Sequence, residues 1–386
     1  MNPQTWIEVS RSALLNNYRI FKDLAGQSRL LPVLKANAYG HGLAEVSSIL
    51  IEEGQRWFGV HSADEALELA GHHAMIDLKI LILSWVPPSM IGQLAENGVR
   101  FTVFDREGLE EMEEAGAREE SAIGDQIRFP IHIKVETGVN RQGFPENELD
   151  ALAARIKTCK HVRVEGVHSH FANIEDSTDH SYALEQMKRF DAAVDRLRAG
   201  DVEPEMLHQS CSAAGILFPE THADLLRVGI SLYGHWPSRE TLVSARAEGR
   251  NKLDLKPVMT WKARIIQVKD VPAGSYVGYG CSWKTEAPTR LGVLPIGYAD
   301  GYDRSLGGAW ALVRGRRAPV RSRVMMNLTL LDLSHIPEAQ RGDEAVLIGR
   351  QGGEEISAET LAGLAGTINY EILARAASHL HRRVAD

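Results

Sequence analysis

The sequence LPVLKANAYGHG, residues 31–42, joins a short apolar run to a glycine-flanked turn, and Lys35 stands where the run ends. This pattern predicts a buried strand that stops at Lys35. A lysine amine at a strand end can form a Schiff base with a carbonyl, and Tyr39 on the turn is placed to contact an anionic group beside it. The stretch therefore suggests a pyridoxal phosphate site. It also fits an ordinary core strand that ends at a surface lysine.

The sequence around this stretch has the pattern of strands and helices that is typical of a parallel α/β fold. Short apolar runs alternate with segments of helical periodicity from about residue 30 to residue 234. Eight such units predict a closed (β/α)8 barrel of the TIM type. An open doubly wound sheet stays possible, although it usually carries a glycine-rich phosphate loop after its first strand. The predicted strands begin near Leu31, Trp57, Leu78, Arg100, Ile127, Val162, Glu205 and Leu225.

The remaining sequence predicts a second, mostly β domain. A length of 386 residues exceeds one ordinary domain. Beyond about residue 240, alternating β-branched segments are separated by Gly and Pro, with one helix at Ala358–Ala365. We expect Trp6–Val9 to return and pair with this domain. The predicted domains are a barrel at residues 10–240 and a β domain at residues 241–386 together with residues 1–9. The predicted β segments are Val258–Val268, Ser275–Gly280, Leu291–Ile296, Ala311–Val320, Arg323–Leu331 and Glu344–Ile348.

Composition narrows the functional classes. A net charge of -8 argues against a nucleic-acid binder, so small molecules are the expected partners. No apolar run approaches the roughly 18 to 20 residues that a bilayer needs, and the N-terminus lacks a signal-peptide pattern, which predicts no membrane association and a cytoplasmic location. The three cysteines are far apart and have no metal-binding spacing, so we expect free thiols and no metal site.

Polar residues collect at the predicted strand ends, where α/β barrels carry their chemistry. The HxH pair His168 and His170 could also indicate a metal-dependent hydrolase, but such enzymes usually carry the pair on their first strand. We therefore expect a polar mouth rather than a metal centre. Its candidates are Lys35, Lys134, Glu136, Arg141, His168, His170, Ser210–Ser212 and Arg227–Tyr233.

Eight motifs in order over nearly the whole chain resemble those of the alanine racemases. The resemblance implies a pyridoxal-phosphate-dependent isomerase that interconverts L- and D-alanine, with an eight-stranded α/β barrel, a β domain and a homodimeric assembly. Serine or larger amino acids stay open as substrates, as does a biosynthetic or catabolic role. The motifs are LPVLKANAYGHG (31–42), KVETGVNRQGF (134–144), HSHFANIED (168–176), LHQSCSAA (207–214), LLRVGISLYG (225–234), VGYGCSW (277–283), LPIGYADGY (294–302) and GTINYEIL (366–373).

The resemblance assigns the proton chemistry to two residues. Lys35 matches the family's Schiff-base lysine, which moves a proton at the substrate α-carbon once it is released. Racemisation needs a second acid/base group on the opposite face, and Tyr279 matches the family's tyrosine, which comes from the partner subunit. His170 matches a histidine beside the cofactor ring and close to that tyrosine.

Further matches concern the cofactor and the substrate. Arg227 matches the arginine that faces the pyridine nitrogen, and because an arginine keeps its proton the ring would be a weak electron sink. His208 matches the histidine that orients this arginine. Arg141 matches an arginine near the cofactor's phenolic oxygen and the substrate carboxylate, and Lys134 a lysine that is carbamylated in many members. Residues that match the phosphate-binding set are Tyr39, Ser212, Gly229, Ile230 and Tyr370.

Two positions depart from the family pattern. Met326 keeps a backbone N–H for the substrate carboxylate, but Asn327 stands where an aspartate is usual, which removes a charge near the entrance. Cys211 stands where an asparagine is common, beside Ser212, so one hydrogen bond there is expected to be missing.

Two other readings involve the same cofactor. A non-catalytic pyridoxal-phosphate-binding protein would share the strand-end lysine but would lack the β domain and Tyr279. A decarboxylase of the same fold type would lack the AYGHG turn and would use a carboxylate at the ring nitrogen.

Overall fold

The computed structural model describes residues 3–123, 127–176, 179–249 and 253–386. The chain forms two compact units. The β unit comprises Met1–Leu14, Ala36–Ile49 and Lys256–Asp386, and the α/β unit comprises Leu15–Lys35 and Leu50–Leu255. Among the described residues, no helix combines the length and the hydrophobicity needed to cross a bilayer.

Parallel strands form the core of the α/β unit, which confirms the predicted α/β class. Six strands pair in their sequence order as one parallel sheet, from Trp57–Val60 to Met206–His208. The strands Arg29–Pro32 and Leu225–Val228 pair with each other, also in parallel. Ile80, Leu81 and Ile82 are fully buried, as expected for strands covered on both faces. The strands are Arg29–Pro32, Trp57–Val60, Lys79–Ile82, Val99–Val103, Phe129–Lys134, Val162–His168, Met206–His208 and Leu225–Val228.

Helices follow most of these strands and have sequence signals at their starts. The helix Ala63–His72 begins at Ser62, whose side chain accepts from Glu65 N–H while the Glu65 carboxylate accepts from the Ser62 backbone. It buries alanine and leucine side chains at helical spacing. Two further helices are Arg11–Ala25 and Leu43–Glu52. The remaining helices up to residue 249 are Ile91–Glu96, Arg106–Ile123, Leu149–Ile156, Ser181–Ala199, Ser212–Leu217 and Arg239–Ala247.

Antiparallel sheets dominate the β unit. Thr5–Ser10 pairs antiparallel with Met259–Arg264 and parallel with His381–Ala385, which confirms that the N-terminal segment joins this sheet. Trp6, Ile7 and Trp261 are among its buried residues. The strands of the unit are Thr5–Ser10, Met259–Arg264, Gln267–Val271, Tyr276–Val277, Trp283–Lys284, Thr289–Leu294, Trp310–Val313, Arg316–Pro319, Thr329–Asp332, Glu344–Gln351, Glu354–Ile356 and His381–Ala385.

Four predicted segments of this unit were wrong in detail. Only Tyr276–Val277 of the predicted segment Ser275–Gly280 is a strand, because a 3₁₀ turn begins at Tyr279. Val258–Val268 is divided between strands of two different sheets, Met259–Arg264 and Gln267–Val271. Ala311–Val320 is a hairpin, because the chain reverses at Arg314 and Gly315, which both have positive φ. The strand expected at Arg323–Leu331 begins only at Thr329, since Met325 N–H bonds Leu328 O in a turn. Among the described residues from 256 onward, the α-helices are Ala358–Ala365, as predicted, and Asn369–Ala374, which was not predicted.

Candidate active site

Lys35 lies just beyond the last pairing contacts of the first parallel strand. Val33 N–H donates to Val228 O at 2.8 Å and Leu34 N–H to Gly59 O at 2.7 Å, which fixes the backbone immediately before the lysine. Lys35 is accessible to solvent, yet protein atoms surround its amine closely enough that desolvation, followed by the positive charge of Arg141, lowers its pKa. A lowered pKa favours the neutral amine, which is the nucleophilic form.

The residues after Lys35 form one turn of left-handed helix. Ala36 to Tyr39 all have φ between 52° and 54°, and Gly40 N–H donates to Ala36 O at 2.9 Å. This conformation costs roughly 1–2 kcal/mol per residue for L-amino acids. The Asn37 side chain accepts from Leu43 N–H at 2.7 Å and so caps the following helix. The sequence predicted a turn here but not its handedness, for which asparagine and the flanking glycines are the available signal.

Basic side chains concentrate at the strand ends of the α/β unit. Lys134 ends its strand, and burial together with the charges of Arg141 and Arg227 lowers its pKa to about 8. The Glu136 carboxylate accepts from Gly138 N–H at 2.5 Å and from Arg141 N–H at 3.3 Å, which holds the loop that carries Arg141. Lys35, Lys134, Arg141 and Arg227 influence one another electrostatically, so the cluster is strongly positive.

Arg227 is buried and its guanidinium is held by the ends of neighbouring strands. Nη1 donates to His208 Nδ1 at 2.7 Å and to His208 O at 2.9 Å. Nη2 donates to Ser169 O at 2.8 Å and to Gln209 O at 2.9 Å, with His170 Nδ1 at 3.4 Å. These acceptors account for the four Nη protons of the side chain, which leaves the Nε–H as the donor for a bound group. Burial lowers the pKa of Arg227 to about 10, so it stays protonated near neutral pH.

A chain of hydrogen bonds runs from Arg227 through two histidines to a carboxylate. Because an arginine only donates, His208 Nδ1 accepts, and its Nε2–H donates to His132 Nδ1 at 2.8 Å. His132 Nε2–H then donates to Glu165 Oε2 at 3.1 Å. Both imidazoles are fully buried, and burial lowers their pKa values, which agrees with neutral rings. This relay fixes one tautomer of each histidine and thereby the orientation of Arg227.

Burial and positive neighbours also lower the pKa values of His168 and His170 well below the ordinary range. His170 is therefore neutral near neutral pH and can assist another group by hydrogen bonding but not by charge. The His168 ring stacks on His208 at 4.7 Å between centroids, with Thr102 Oγ1 3.5 Å from its Nε2. The described residues contain no group of three or more His, Cys, Asp or Glu side chains suited to a metal ion.

Two helix starts meet at the end of the last parallel strand. Ser212 opens the helix Ser212–Leu217, and its hydroxyl accepts from Gly229 N–H at 3.0 Å. Gly229 in turn precedes a 3₁₀ helix that begins at Ile230. N–H groups at helix starts suit a phosphate. Cys211 occupies the N-cap position without a side-chain cap and instead packs in an apolar cluster with Phe171 and Ile174, among others.

In the β unit, Tyr39 and Tyr370 lie side by side. Their ring centroids are 6.3 Å apart at an interplanar angle of 50°. Gly40, with φ +80°, packs against the helix that carries Tyr370, because an added Cβ would stand 2.1 Å from Leu373 O. The two tyrosines predicted to contact the phosphate therefore belong to one packed assembly of turn and helix.

A second surface of the β unit carries Tyr279, which is 73% exposed. Ser282, from the same turn, shares a hydrogen bond of 3.1 Å with Ser322, which joins this turn to the loop that leads to Met326. Tyr298 N–H donates to Met325 O at 3.0 Å, so Tyr298 lies on the same group of loops. Tyr298 and Met326 are also exposed.

The described residues fit pyridoxal phosphate. The guanidinium groups of Arg141 and Arg227 would offset the charge of a phosphorylated, phenolic ligand, and the Nε–H of Arg227 suits an acceptor nitrogen. A strand-end lysine with a lowered pKa matches the need for a neutral amine. The cluster thus offers a covalent attachment point, a ring-nitrogen partner and counter-charges within one unit.

Comparison with known proteins then identifies the family. A family model of the alanine racemase N-terminal domain matches residues 9–237, and one of the alanine racemase C-terminal domain matches residues 258–384. The chain belongs to the alanine racemase family. Membership confirms the resemblance and the enzyme class predicted from the sequence, an isomerase that acts as an amino-acid racemase.

Individual family members resemble the chain over nearly its whole length. The alanine racemase of Carboxydothermus hydrogenoformans is 40% identical over 369 residues, which cover 95% of this chain and 96% of the relative. That of Symbiobacterium thermophilum is 39% identical over 370 residues, covering 96% and 94%. The structure of the Bacillus anthracis alanine racemase with bound L-Ala-P has a TM-score of 0.90 at 31% identity and covers 100% of this chain and 96% of that one. The alanine racemase of a D-cycloserine producing Streptomyces lavendulae has a TM-score of 0.88 at 33% identity, covering 100% and 98%.

The structure groups the predicted site residues by unit. Tyr39 and Tyr370 form one pair in the β unit, and Tyr279 and Met326 share its exposed loop surface. His132 and Glu165 were not predicted, since a strand-interior histidine and glutamate carry no motif of their own. The strand-end cluster of the α/β unit contains Lys35, Lys134, Arg141, His170, His208 and Arg227, with Ser212, Gly229 and Ile230 at the neighbouring helix starts.

Proposed function

We propose that the chain interconverts L- and D-alanine with pyridoxal phosphate as cofactor and with Lys35 and Tyr279 as the two acid/base groups. The observation that carries the proposal is the strand-end Lys35, whose amine pKa is lowered beside Arg141. When bound, the cofactor supplies the electron sink that makes the α-proton of the amino acid labile. Lys35 takes or gives this proton on one face of the substrate and Tyr279 on the other.

The proposal assigns cofactor contacts to residues of both units. Lys35 would attach the cofactor, and Ser212, Gly229 and Ile230 would bind its phosphate through a hydroxyl and helix-start N–H groups. Tyr39 and Tyr370 would contribute phenolic hydroxyls to the same phosphate.

Arg227 is proposed to limit side reactions. Its Nε–H would donate to the ring nitrogen, and because its guanidinium keeps its proton the nitrogen would stay neutral. Negative charge at the α-carbon is then poorly delocalised, so the proton returns quickly and transamination is disfavoured. His208 would hold Arg227 in this position through its 2.7 Å hydrogen bond.

Arg141 and Lys134 are proposed to act on the anionic groups of cofactor and substrate. Arg141 would contact the phenolic oxygen and lie near the substrate carboxylate, which Met326 would also bind through its backbone N–H. The lowered pKa of Lys134 increases its neutral fraction, which is the form that reacts with carbon dioxide. This supports a carbamate on Lys134 whose negative charge would hold Arg141.

We also propose a homodimer in which Tyr279 serves the partner's site, and a closed eight-stranded barrel at residues 10–240 with the β domain at residues 241–386 and 1–9. The exposure of Tyr279, Tyr298 and Met326 on one surface supports burial by a second chain.

The parallel bridge between Val33 and Gly59 supports closure of the barrel, because it links the two-stranded and the six-stranded sheets. The strand order also lacks the reversal of a doubly wound sheet.

The direct test uses purified protein with pyridoxal phosphate and single enantiomers of alanine, serine and a basic amino acid. We expect both alanine enantiomers to reach an equal mixture, as measured by chiral chromatography. If serine or the basic amino acid is racemised faster than alanine, the result would support the broader substrate range that Asn327 leaves open. Cofactor binding without exchange of the α-proton of any of them would contradict the proposal and favour a non-catalytic binding protein.

A further inference from the structure

The buried guanidinium of Arg382 connects the two segments that carry Tyr39 and Tyr370. Arg382 lies on the C-terminal strand His381–Ala385 and is 8% exposed. Its Nε and Nη2 donate to Gly40 O at 3.0 and 2.9 Å, at the end of the left-handed turn. A buried arginine satisfied by backbone carbonyls fixes those carbonyls in space.

The same guanidinium also binds the chain that follows the helix Asn369–Ala374. Nη2 donates to Ala376 O at 3.2 Å and to Ala377 O at 3.1 Å. Nη1 donates to Ser378 O at 3.1 Å and to Leu380 O at 2.8 Å. One side chain therefore joins five carbonyls, one from the turn and four from the segment after the helix.

These bonds lie next to the contact between the two tyrosines. Tyr39 directly precedes Gly40, whose carbonyl Arg382 holds, and Tyr370 is on the helix whose Leu373 O closely approaches Gly40. The left-handed backbone of the turn is intrinsically unfavourable, so it needs such contacts to persist.

We propose that Arg382 is a positioning residue for the cofactor phosphate, acting by holding Tyr39 and Tyr370 at the spacing that binds it. This inference rests on the proposed function, because it takes the two tyrosines to be phosphate ligands. Arg382 itself does not touch the cofactor, and its effect is on the affinity for the phosphate group.

The variant Arg382→Lys tests this role. It keeps a positive charge, but its N–H donors all lie on one nitrogen, so an ammonium cannot span from Gly40 O to Ser378 O and Leu380 O as the guanidinium does with Nε and Nη1. The neighbouring Arg383→Lys is the matched control, since Arg383 is exposed and pairs with Glu8. For each full-length protein freed of cofactor, the dissociation constants of pyridoxal phosphate and of pyridoxal, which lacks the phosphate, are measured by absorbance titration.

We expect Arg382→Lys to weaken the binding of pyridoxal phosphate about tenfold or more, which corresponds to the loss of one charge-assisted hydrogen bond. The binding of pyridoxal should weaken less than twofold. Arg383→Lys should change neither constant. Equal weakening of both ligands would show a general structural role and overturn the inference, as would unchanged binding of both.

Two further results keep the test decisive. If Arg382→Lys does not fold, Gly40→Ala addresses the same contact by pushing the turn away from Leu373 O, and the same phosphate-selective loss is expected. Unselective loss or none would overturn the inference. If the wild-type protein binds pyridoxal phosphate no better than pyridoxal, the phosphate site of the proposed function fails first.

Discussion

The strand-end cluster of the α/β unit and the exposed loop surface of the β unit carry the two halves of the proposed chemistry in opposite environments. Arg227 is 5% exposed and has its Nη donors occupied by atoms of its own unit. Tyr279 is 73% exposed. The Lys35 half is thus organised within one chain, whereas the Tyr279 half is open to solvent in that chain and would gain its surroundings only in the proposed homodimer.

Lys35→Ala should have the largest effect, because it removes both the cofactor attachment and one acid/base group. We expect racemisation to fall below detection and the absorbance of lysine-bound cofactor to disappear. Lys79→Ala, at the opposite end of a parallel strand, should leave both unchanged. Retention of the bound-cofactor absorbance in Lys35→Ala would mean that another lysine holds the cofactor.

Tyr279→Phe should remove the acid/base group of the exposed loop surface and leave the Lys35 cluster intact. We expect a loss of about 10²–10⁴-fold in racemisation, the usual contribution of a general acid or base. Cofactor absorbance should persist, and α-proton exchange in deuterated water should slow far more for one alanine enantiomer than for the other. The control is Tyr276→Phe, since Tyr276 is also an exposed tyrosine and lies three residues earlier in the sequence. Small and equal effects on both enantiomers would remove Tyr279 from the mechanism.

Mixing the Lys35→Ala and Tyr279→Phe variants tests whether the two acid/base groups of one site come from different chains. If the partner supplies Tyr279, a heterodimer of Lys35→Ala and Tyr279→Phe has one intact site. Random reassociation makes half of the dimers mixed, with one of two sites active, so activity should return to about a quarter of the wild-type value. No recovery after confirmed subunit exchange would place both groups in the same chain.

Glu165→Gln should loosen the far end of the hydrogen-bond relay without touching the cofactor. Burial raises the pKa of Glu165, but the hydrogen bond from His132 and the charge of Arg100 outweigh this and lower it to about 2. We expect the free energy of unfolding to fall by about 1–3 kcal/mol, because the variant removes the buried carboxylate that accepts from His132. Denaturant titration measures this loss.

The pH dependence of this cost has a definite sign. The carboxylate of Glu165 has a depressed pKa in the folded chain, so its contribution is complete above its ordinary pKa of 4.5 and is lost as the pH falls towards 2. The difference between wild type and Glu165→Gln should shrink over that range. Glu205→Gln, a more exposed partner of Arg163, is the control. A pH-independent difference would mean that the charge of Glu165 is not what stabilises the relay.

The same contrast explains what the sequence could predict. The strands of the α/β unit and their polar ends were predictable, because a strand buried on both faces is a continuous apolar run that stops at a polar residue, as at Lys35 and Lys134. The link from His132 to Glu165 was not, since it joins two neighbouring strands and depends on their register. The left-handed turn at Ala36–Tyr39 also escaped, because its unfavourable backbone is held by contacts from distant residues such as Arg382.

Asn327→Asp should have the smallest effect and bears on the exposed half. Restoring the carboxylate that the family usually has places a negative charge beside Met326, whose backbone N–H is proposed to bind the substrate carboxylate. Because both residues are exposed, water and salt screen this charge, and we expect the KM for alanine to rise less than about fivefold with kcat nearly unchanged. The rise should shrink further at high ionic strength. A large change in kcat would show that residue 327 is shielded from water more than it is in a single chain. That result would mean that the partner subunit covers this position.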